Sequence, residues 1–210
     1  MPVLPVPRRR ILVAFGLLPL LSACVPAVIV TGAAVGVVSY HDRRSTGTQA
    51  DDETTEWRAR NRLPAIWRER GNVNFTAYNR RVLVSGEVPD ERAKDEIGAL
   101  AVALDGVQKV HNELRVGPVS TVGERADDVL LSSRIKARLL DQKVVSSNHV
   151  KPVSERGVVF LMGIVSEAEA QAAIDVVRTT AGVARVVSLF EILPASDIRR
   201  LDSQAFGSSR

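Results

Sequence analysis

One reactive side chain near the N-terminus lies in a pattern that indicates a specific chemistry. Cys24 is the single cysteine of the chain, and it directly follows Leu21-Ser22-Ala23. A basic segment, Arg8-Arg9-Arg10, and the apolar run Ile11–Leu21 precede it, which is the layout of a bacterial signal for lipid attachment. The small residues suit a signal peptidase, and the thiol would accept the acyl chain. We predict a signal peptide over residues 1–23 and lipidation of Cys24; an ordinary secretory signal with a coincidental cysteine is the alternative.

The residues after Cys24 indicate a tether rather than a membrane-spanning helix. Val25 stands where an Asp would resemble the inner-membrane retention signal of enteric lipoproteins, so we expect the periplasmic face of the outer membrane. The apolar segment up to Tyr40 is interrupted by Pro26 and is shorter than the roughly 20 apolar residues that a span needs. Residues 24–47 are therefore predicted to form the lipidated cysteine and a tether, with residues 41–52 as a polar linker.

No arrangement of side chains indicates catalysis or metal binding. The three histidines, at positions 41, 111 and 149, lack the spacing of a metal site. No Ser or Thr has a convincing base, so we expect no catalytic residue, no metal, no cofactor and no enzymatic activity. The formal net charge is +4, but 28 basic side chains less the three leader arginines leave 25 against 24 acidic ones. The composition therefore gives no support to a nucleic-acid partner.

The remaining candidate site is a helix predicted over residues 124–142. Its expected buried stripe consists of Leu131, Ile135 and Leu139. Leu130 lies one position off this stripe and should be partly exposed, with Arg134 beside it. Further positive charge nearby comes from Lys136, Arg138 and Lys143. An apolar side chain surrounded by cations suits the boundary between phospholipid head groups and acyl chains. An ordinary basic face, with Leu130 covered by a loop or by another module, explains the same pattern.

A repeat in the chain predicts the elements that position this helix. The stretches RVLVSGEV (81–88) and GVVFLMGIV (157–165) share an apolar strand, a glycine and a following helix. Gly86 matches Gly163, and Gly106 matches Gly182, so one residue has been lost between the copies. We predict modules over residues 48–117 and 123–194, joined by a linker at 118–122. The polar residues 195–210 are expected to form a flexible tail.

Within each module the pattern predicts the order helix, strand, strand, helix, strand. The fold class is therefore α+β, with two helices packed on one face of a small three-stranded sheet. Pro64 should interrupt the first helix, and Pro152 should lie on a sheet edge because it cannot donate a hydrogen bond. Ser166 and Glu169 have the spacing of a capping box.

This pattern resembles the BON domain. The shared features are a glycine after the second strand, Gly-Val before the third, and a closing Asn-x-Leu-x-Val at Asn112, Leu114 and Val116. With the lipoprotein leader, residues 21–194 resemble the dual-BON outer-membrane lipoproteins, a family of division- and stress-associated lipid-binding lipoproteins. Further local matches are Gly47-Thr48-Gln49, Asn74-Phe75-Thr76-Ala77-Tyr78, Ser146-Ser147-Asn148 and Val159-Phe160-Leu161-Met162-Gly163.

The resemblance implies that the second module binds anionic phospholipids, such as phosphatidylglycerol or cardiolipin, and supports outer-membrane integrity. The family's lipid-binding positions fall on Gly123, Leu130, Arg134 and Lys136. Relatives can carry Trp where Leu130 stands, and Trp is the better interfacial anchor, so weaker or differently tuned binding is expected. Enrichment at the division site is a further expectation.

The alternative function is a non-enzymatic adaptor that docks a protein partner of the envelope. In that hypothesis the first module supplies the surface, through its open sheet edges or through a face containing Trp57 and Trp67. Lipid contact would then be incidental.

Overall fold

The computed structural model describes residues 42–207, with side chains up to Gln204. All of these residues belong to one compact unit. Among them, no helix is both long enough and apolar enough to cross a membrane. Cys24, the predicted leader and most of the tether lie outside the described residues, and the lipidation of Cys24 remains a prediction.

The first module is a small sheet with helices on one face. Its elements are α1 (Thr46–Arg62), α2 (Ala65–Arg70), β1 (Asn72–Tyr78), β2 (Arg81–Val88), α3 (Glu91–Val102), β3 (Lys109–Asn112) and β4 (Arg115–Val116). Strand β1 is antiparallel to β2, while β3 and β4 both pair with β2 in the parallel direction. The predicted third strand is thus divided in two, because Leu114 turns into the core between its halves.

The second module repeats this topology. It contains α4 (Val122–Leu140), a short 3-10 turn (Ser147–His149), β5 (Val150–Glu155), β6 (Val158–Val165), α5 (Glu167–Arg178), β7 (Arg185–Ser188) and β8 (Glu191–Ile192). Strand β5 pairs with β6 alone, so Pro152 lies on a sheet edge as predicted. The α+β class and the order helix, strand, strand, helix, strand are confirmed in both modules.

Helix α1 begins earlier than the sequence pattern suggested. The Ser45 hydroxyl accepts a hydrogen bond from the backbone N–H of Thr48 and caps the helix. The predicted linker over residues 41–52 is therefore wrong from Thr46 onward, because a polar first turn hides the helix from a search for apolar periodicity. The predicted break at Pro64 is confirmed: α1 ends at Arg62, and α2 starts just after the proline.

The repeated glycine has a steric cause. A Cβ on Gly86 would overlap the carbonyl oxygen of Asn72 on the neighbouring strand, and one on Gly163 would overlap the carbonyl oxygen of His149. The backbone of Gly86 also has a positive φ of 111°, which side chains disfavour. Each module therefore needs glycine at this position of its central strand.

A second repeated feature is an aspartate that holds the hairpin turn of its own module. The Asp52 carboxylate accepts hydrogen bonds from the backbone N–H groups of Asn79 and Arg80, at 2.7 and 2.9 Å. Asp128 does the same for Arg156 and Gly157, at 2.8 and 3.3 Å. No local sequence pattern reveals this role, because the turn and the aspartate are far apart along the chain.

Within residues 42–207, three apolar clusters form the interior. Two of them fill the space between the helices and the sheet of each module. The third joins the two sheets through the faces that carry no α1–α5 helix, where Tyr78 and Leu83 of the first module meet Phe160 and Met162 of the second. Side chains alternate between the two faces along each strand, so each sheet contributes to two cores. The modules therefore pack sheet to sheet, with helices α1–α5 on the outer faces of the sheets.

Residues 195–207 form a helix, and the predicted flexible tail is wrong for them. Helix α6 (Ala195–Gly207) places Ile198 in the core between the sheets, where its side chain is 6% exposed. Leu201 packs against the same cluster. These two apolar side chains anchor the helix because the other elements build the core that receives them.

A buried arginine ties the start of the described chain to α6. The guanidinium of Arg43 donates to both carboxylate oxygens of Glu169, at 2.8 and 3.0 Å, and to Asp202 at 2.8 and 3.1 Å. It also donates to the carbonyl oxygen of Ile164 at 2.9 Å. We call Arg43, Glu169 and Asp202 the Arg43 clasp. It fixes residues that the sequence analysis assigned to a tether and a tail.

Candidate functional site

Helix α4 is well defined at its start and on its buried side. The Thr121 hydroxyl accepts from the backbone N–H of Glu124, and the Glu124 carboxylate accepts from the backbone N–H of Thr121, which forms a capping box. The buried stripe agrees with the prediction and consists of Leu131, Ile135 and Leu139. These contacts leave the opposite side of α4 facing solvent.

The solvent side of α4 is unusually apolar. Four large apolar side chains are exposed: Val122, Val129, Leu130 and Leu140, at 76%, 66%, 60% and 71%. At about 100° per residue they share one side of the helix with the small residues Ala126 and Ala137, which are also exposed. We call these six residues the outer stripe. Clustered apolar exposure of this kind marks interaction surfaces.

Leu130 itself resolves an alternative that the sequence left open. Its side chain is 60% exposed, so neither a loop nor the first module covers it. The expected exposure of Leu130 is confirmed, while its role in binding lipid stays a prediction. The other exposed residues of the outer stripe were not predicted, because the apolar spacing was used to identify only the buried side of the helix. Val122, Val129 and Leu140 are seven and eleven residues apart, a spacing that returns to one side of a helix and could have revealed them.

The predicted cations divide into different roles. Arg134 is exposed and donates one hydrogen bond to the carbonyl oxygen of Ala181 at 2.9 Å. Arg138 is half-buried and donates to the carbonyl oxygen of Val176 at 2.8 Å and to two threonine hydroxyls at the end of α5. These acceptors are neutral, so Arg138 keeps its positive charge while its guanidinium also fastens α5 to α4. Lys136 is exposed.

The structure brings three of the four predicted lipid-binding residues to one side. Leu130 is seven residues and Arg134 eleven residues beyond Gly123, so the three lie along one line of α4. Lys136 is two residues beyond Arg134, which places it on the other flank of the outer stripe. Gly123 is exposed, and a Cβ there would meet only the Thr121 hydroxyl at 3.9 Å, so packing does not require glycine.

The two tryptophans of the first module do not share a surface. Trp67 is 4% exposed and donates from Nε1 to Glu96 at 2.8 Å. Trp57 is 63% exposed on α1. The predicted Trp57/Trp67 face is therefore wrong, because the break at Pro64 lets α2 turn Trp67 into the core.

The two histidines that the structure describes, His111 and His149, give no sign of a metal site. Over residues 42–207, no group of three or more His, Cys, Asp or Glu is placed to hold a metal ion. His111 is half-buried, and burial, together with the charges of Lys109 and Arg81, lowers its pKa. At neutral pH it is thus an uncharged strand residue.

Comparison with known proteins identifies the family to which this architecture belongs. The family model of the BON domain matches residues 51–118 and 127–194. The chain is 38% identical over 189 residues to the outer membrane lipoprotein DolP of Haemophilus influenzae, which spans 89% of this chain and 97% of that protein. It is 38% identical over 150 residues to a 21 kDa hemolysin of Actinobacillus pleuropneumoniae, across 70% and 77% of the two chains. It is 34% identical over 118 residues to the osmotically-inducible protein Y of Escherichia coli, across 55% and 59%.

Proposed function

The chain belongs to the BON-domain family, as an outer membrane lipoprotein with two tandem modules, and on that premise we propose that it binds anionic phospholipids through α4. The observation that carries this proposal is the outer stripe, a row of exposed Val and Leu side chains on a helix whose other side is packed. In water this surface is unfavourable, and a bilayer offers it an apolar environment.

The geometry suits a helix that lies in the plane of the membrane surface. Burying a Val or Leu side chain fully is worth about 1.5–3 kcal/mol, so partial burial of four contributes several kcal/mol. Arg134 and Lys136 flank the outer stripe on opposite sides, and each cation near an anionic surface adds about 1 kcal/mol. The expected ligands are therefore phosphatidylglycerol or cardiolipin rather than a neutral lipid.

Lipidation of Cys24 would make even weak binding effective. Acyl chains on Cys24 would hold the module close to the membrane, at a high local concentration of head groups. We propose that α4 then binds preferentially where the bilayer contains anionic lipids and that this contact supports envelope integrity.

Co-sedimentation with liposomes tests this function. The soluble chain from Val37 onward keeps the whole compact unit. We expect it to bind vesicles containing phosphatidylglycerol or cardiolipin at least ten times more tightly than neutral vesicles. Leu130→Glu should abolish that binding. Val102→Glu is the matched control, because Val102 is 67% exposed on α3 of the first module and should tolerate the charge without effect.

Absence of binding by the folded chain at low salt would refute the lipid hypothesis. The adaptor hypothesis would then take its place, and one observation favours it: the exposed Trp57 is a residue type enriched in protein interfaces. Equal losses in Leu130→Glu and Val102→Glu would also refute a specific role for α4.

A further inference from the structure

A groove runs beside the outer stripe, between α4, the free edge of β5 and the first module. Its volume is about 480 Å³. Residues Val129 and Lys136 of α4 line it, so the groove is continuous with the flank of the outer stripe. Pro152 and Val153 of β5 add apolar surface to its lining. We call it the α4–β5 groove.

Three serine hydroxyl groups, of Ser132, Ser133 and Ser154, line the α4–β5 groove. The Ser132 and Ser154 hydroxyls are 2.9 Å apart, and the Ser133 hydroxyl donates to the carbonyl oxygen of Val129 at 2.9 Å. A hydroxyl has one donor and two acceptor positions, so each of the three keeps capacity for a ligand.

Three cations line the same groove: Arg125, Lys136 and Lys151. Lys136 makes no hydrogen bond or ion pair with any of the side chains that the structure describes, and its ammonium is free to bind. Lys151 donates to Glu56 at 3.0 Å and to the carbonyl oxygen of Ala77 at 3.2 Å, which leaves one of its three N–H groups. Arg125 uses one N–H group, toward the Ser120 carbonyl oxygen at 2.8 Å, and keeps its others.

The two carboxylates in the groove already have partners. Asp128 holds the hairpin turn through two backbone N–H groups. Glu155 accepts from Ser85 at 2.8 Å and from Asn74 at 2.9 Å, and burial raises its pKa despite these bonds. Ser132 and Ser133 already donate their single O–H groups, so the uncommitted donors of the groove are its cations and the Ser154 hydroxyl, and such donors recognise a phosphate group.

The edge of β5 is poorly suited to a peptide strand. Pro152 has no backbone N–H, so an added strand would find a gap in the ladder of hydrogen bonds. A compact anion needs no such ladder. This contrast favours a head group over an extended peptide in the α4–β5 groove.

We propose that the α4–β5 groove binds the phosphodiester of an anionic phospholipid head group while the acyl chains lie along the outer stripe. This proposal rests on the function proposed above and adds a site for the polar end of the lipid. Lys136 and Lys151 contact the phosphate oxygens, and the serine hydroxyls contact a hydroxylated head group. The groove therefore selects phosphatidylglycerol over phosphatidic acid, which lacks the glycerol hydroxyls.

Two charge reversals on the same helix test the site. Lys136 lines the groove, whereas Arg134 lies on the opposite flank of the outer stripe. Lys136→Glu should remove the preference for phosphatidylglycerol vesicles over phosphatidic acid vesicles of equal charge. Arg134→Glu should weaken binding to both vesicles alike and leave their ratio unchanged. Circular dichroism of both variants controls for folding.

Soluble probes distinguish a lipid head group from a free phosphate ester. In NMR spectra of the chain from Val37 onward, glycerophosphoglycerol should shift the amide signals of Ser132, Ser133 and Ser154, and Lys136→Glu should abolish the shifts. Inorganic phosphate should shift them less. Equal shifts with phosphate would overturn head-group recognition and indicate a simple anion site.

The proposed site and the proposed function fail in different ways. In one outcome, Lys136→Glu still binds vesicles tightly with an unchanged preference for phosphatidylglycerol over phosphatidic acid, and glycerophosphoglycerol does not shift the groove amides. That outcome would refute head-group binding in the α4–β5 groove and leave lipid binding by α4 intact. No vesicle binding by any form, with glycerophosphoglycerol still shifting the groove amides, would refute the lipid source and leave a site for free phosphate esters.

Discussion

The Arg43 clasp gives the sharpest prediction about stability, because its arginine is 7% exposed and makes five hydrogen bonds to three residues. Arg43→Ala would leave the carboxylate of Glu169, whose side chain is 12% exposed, without its cation. Breaking a buried ion pair in this way costs about 3–5 kcal/mol. The Asp202 side chain is 33% exposed and can be hydrated, so the loss of its ion pair with Arg43 adds less than about 1 kcal/mol.

We expect the lower end of that range, because Glu169 keeps two hydrogen bonds from Ser166, at 2.7 and 2.9 Å. The free energy of unfolding should fall by about 3 kcal/mol in Arg43→Ala. For a chain of this size each kcal/mol lowers Tm by about 2–4 °C, so Tm should fall by about 6–12 °C. Urea unfolding and a thermal scan of the chain from Val37 onward measure both values.

Hydrogen exchange separates this explanation from a general loss of stability. The amides of α6 should lose protection in Arg43→Ala before those of the β5–β6 hairpin do, since Asp202 of α6 bonds directly to Arg43. Arg200→Ala is the matched control on the same helix, because Arg200 is 67% exposed and pairs only with Asp197 among the side chains described. It should change stability by less than about 0.5 kcal/mol. A loss below about 1 kcal/mol in Arg43→Ala, or unchanged exchange in α6, would refute the reasoning.

Three further predictions follow from features described above. Gly86→Ala should lower the free energy of unfolding by about 3 kcal/mol in urea, because the new Cβ would overlap the carbonyl oxygen of Asn72 and the backbone φ is positive. The control Gly123→Ala lies on open helix surface and should be neutral or stabilising by up to about 1 kcal/mol. Burial opposes ionisation of Glu169, but His149, Arg43 and Ser166 lower its pKa below the ordinary value. The free energy of unfolding should therefore decrease as pH falls below about 4.3, where the carboxylate is protonated more readily in the unfolded chain. An acid titration should show a smaller decrease in Glu169→Gln. Leu130→Trp should tighten binding to phosphatidylglycerol vesicles in co-sedimentation, and unchanged or weaker binding would contradict the placement of Leu130 at the interface.

The sequence predicted the elements that local patterns define. The apolar runs around Gly86 and Gly163 predicted the central strands, and the four-residue spacing of Leu131 and Ile135 predicted the packed side of α4. These signals depend on neighbours within one or two turns of the chain. The capping box at Ser166 is of the same kind and is confirmed.

What the sequence could not predict depends on residues far apart. Arg43 looks like a solvated tether residue until Glu169 and Asp202 are brought to it. Ile198 looks too isolated to fix a helix until the sheet-to-sheet core receives it. Arg138 looks like surface charge until the end of α5 supplies its acceptors. In each case a tertiary partner decides the role, and no local pattern identifies that partner.

The sheet-to-sheet packing has a consequence for the origin and the dissection of the protein. Each module carries an apolar sheet face, with Leu83 in one and Phe160 in the other, that is covered by the neighbouring module together with Ile198 and Leu201 of α6. A single module cut from this chain would present that face to water and would tend to aggregate or to pair with a second copy. A duplication that placed two copies in one chain would turn such a pairing between molecules into an internal one, and each half would then be free to diverge.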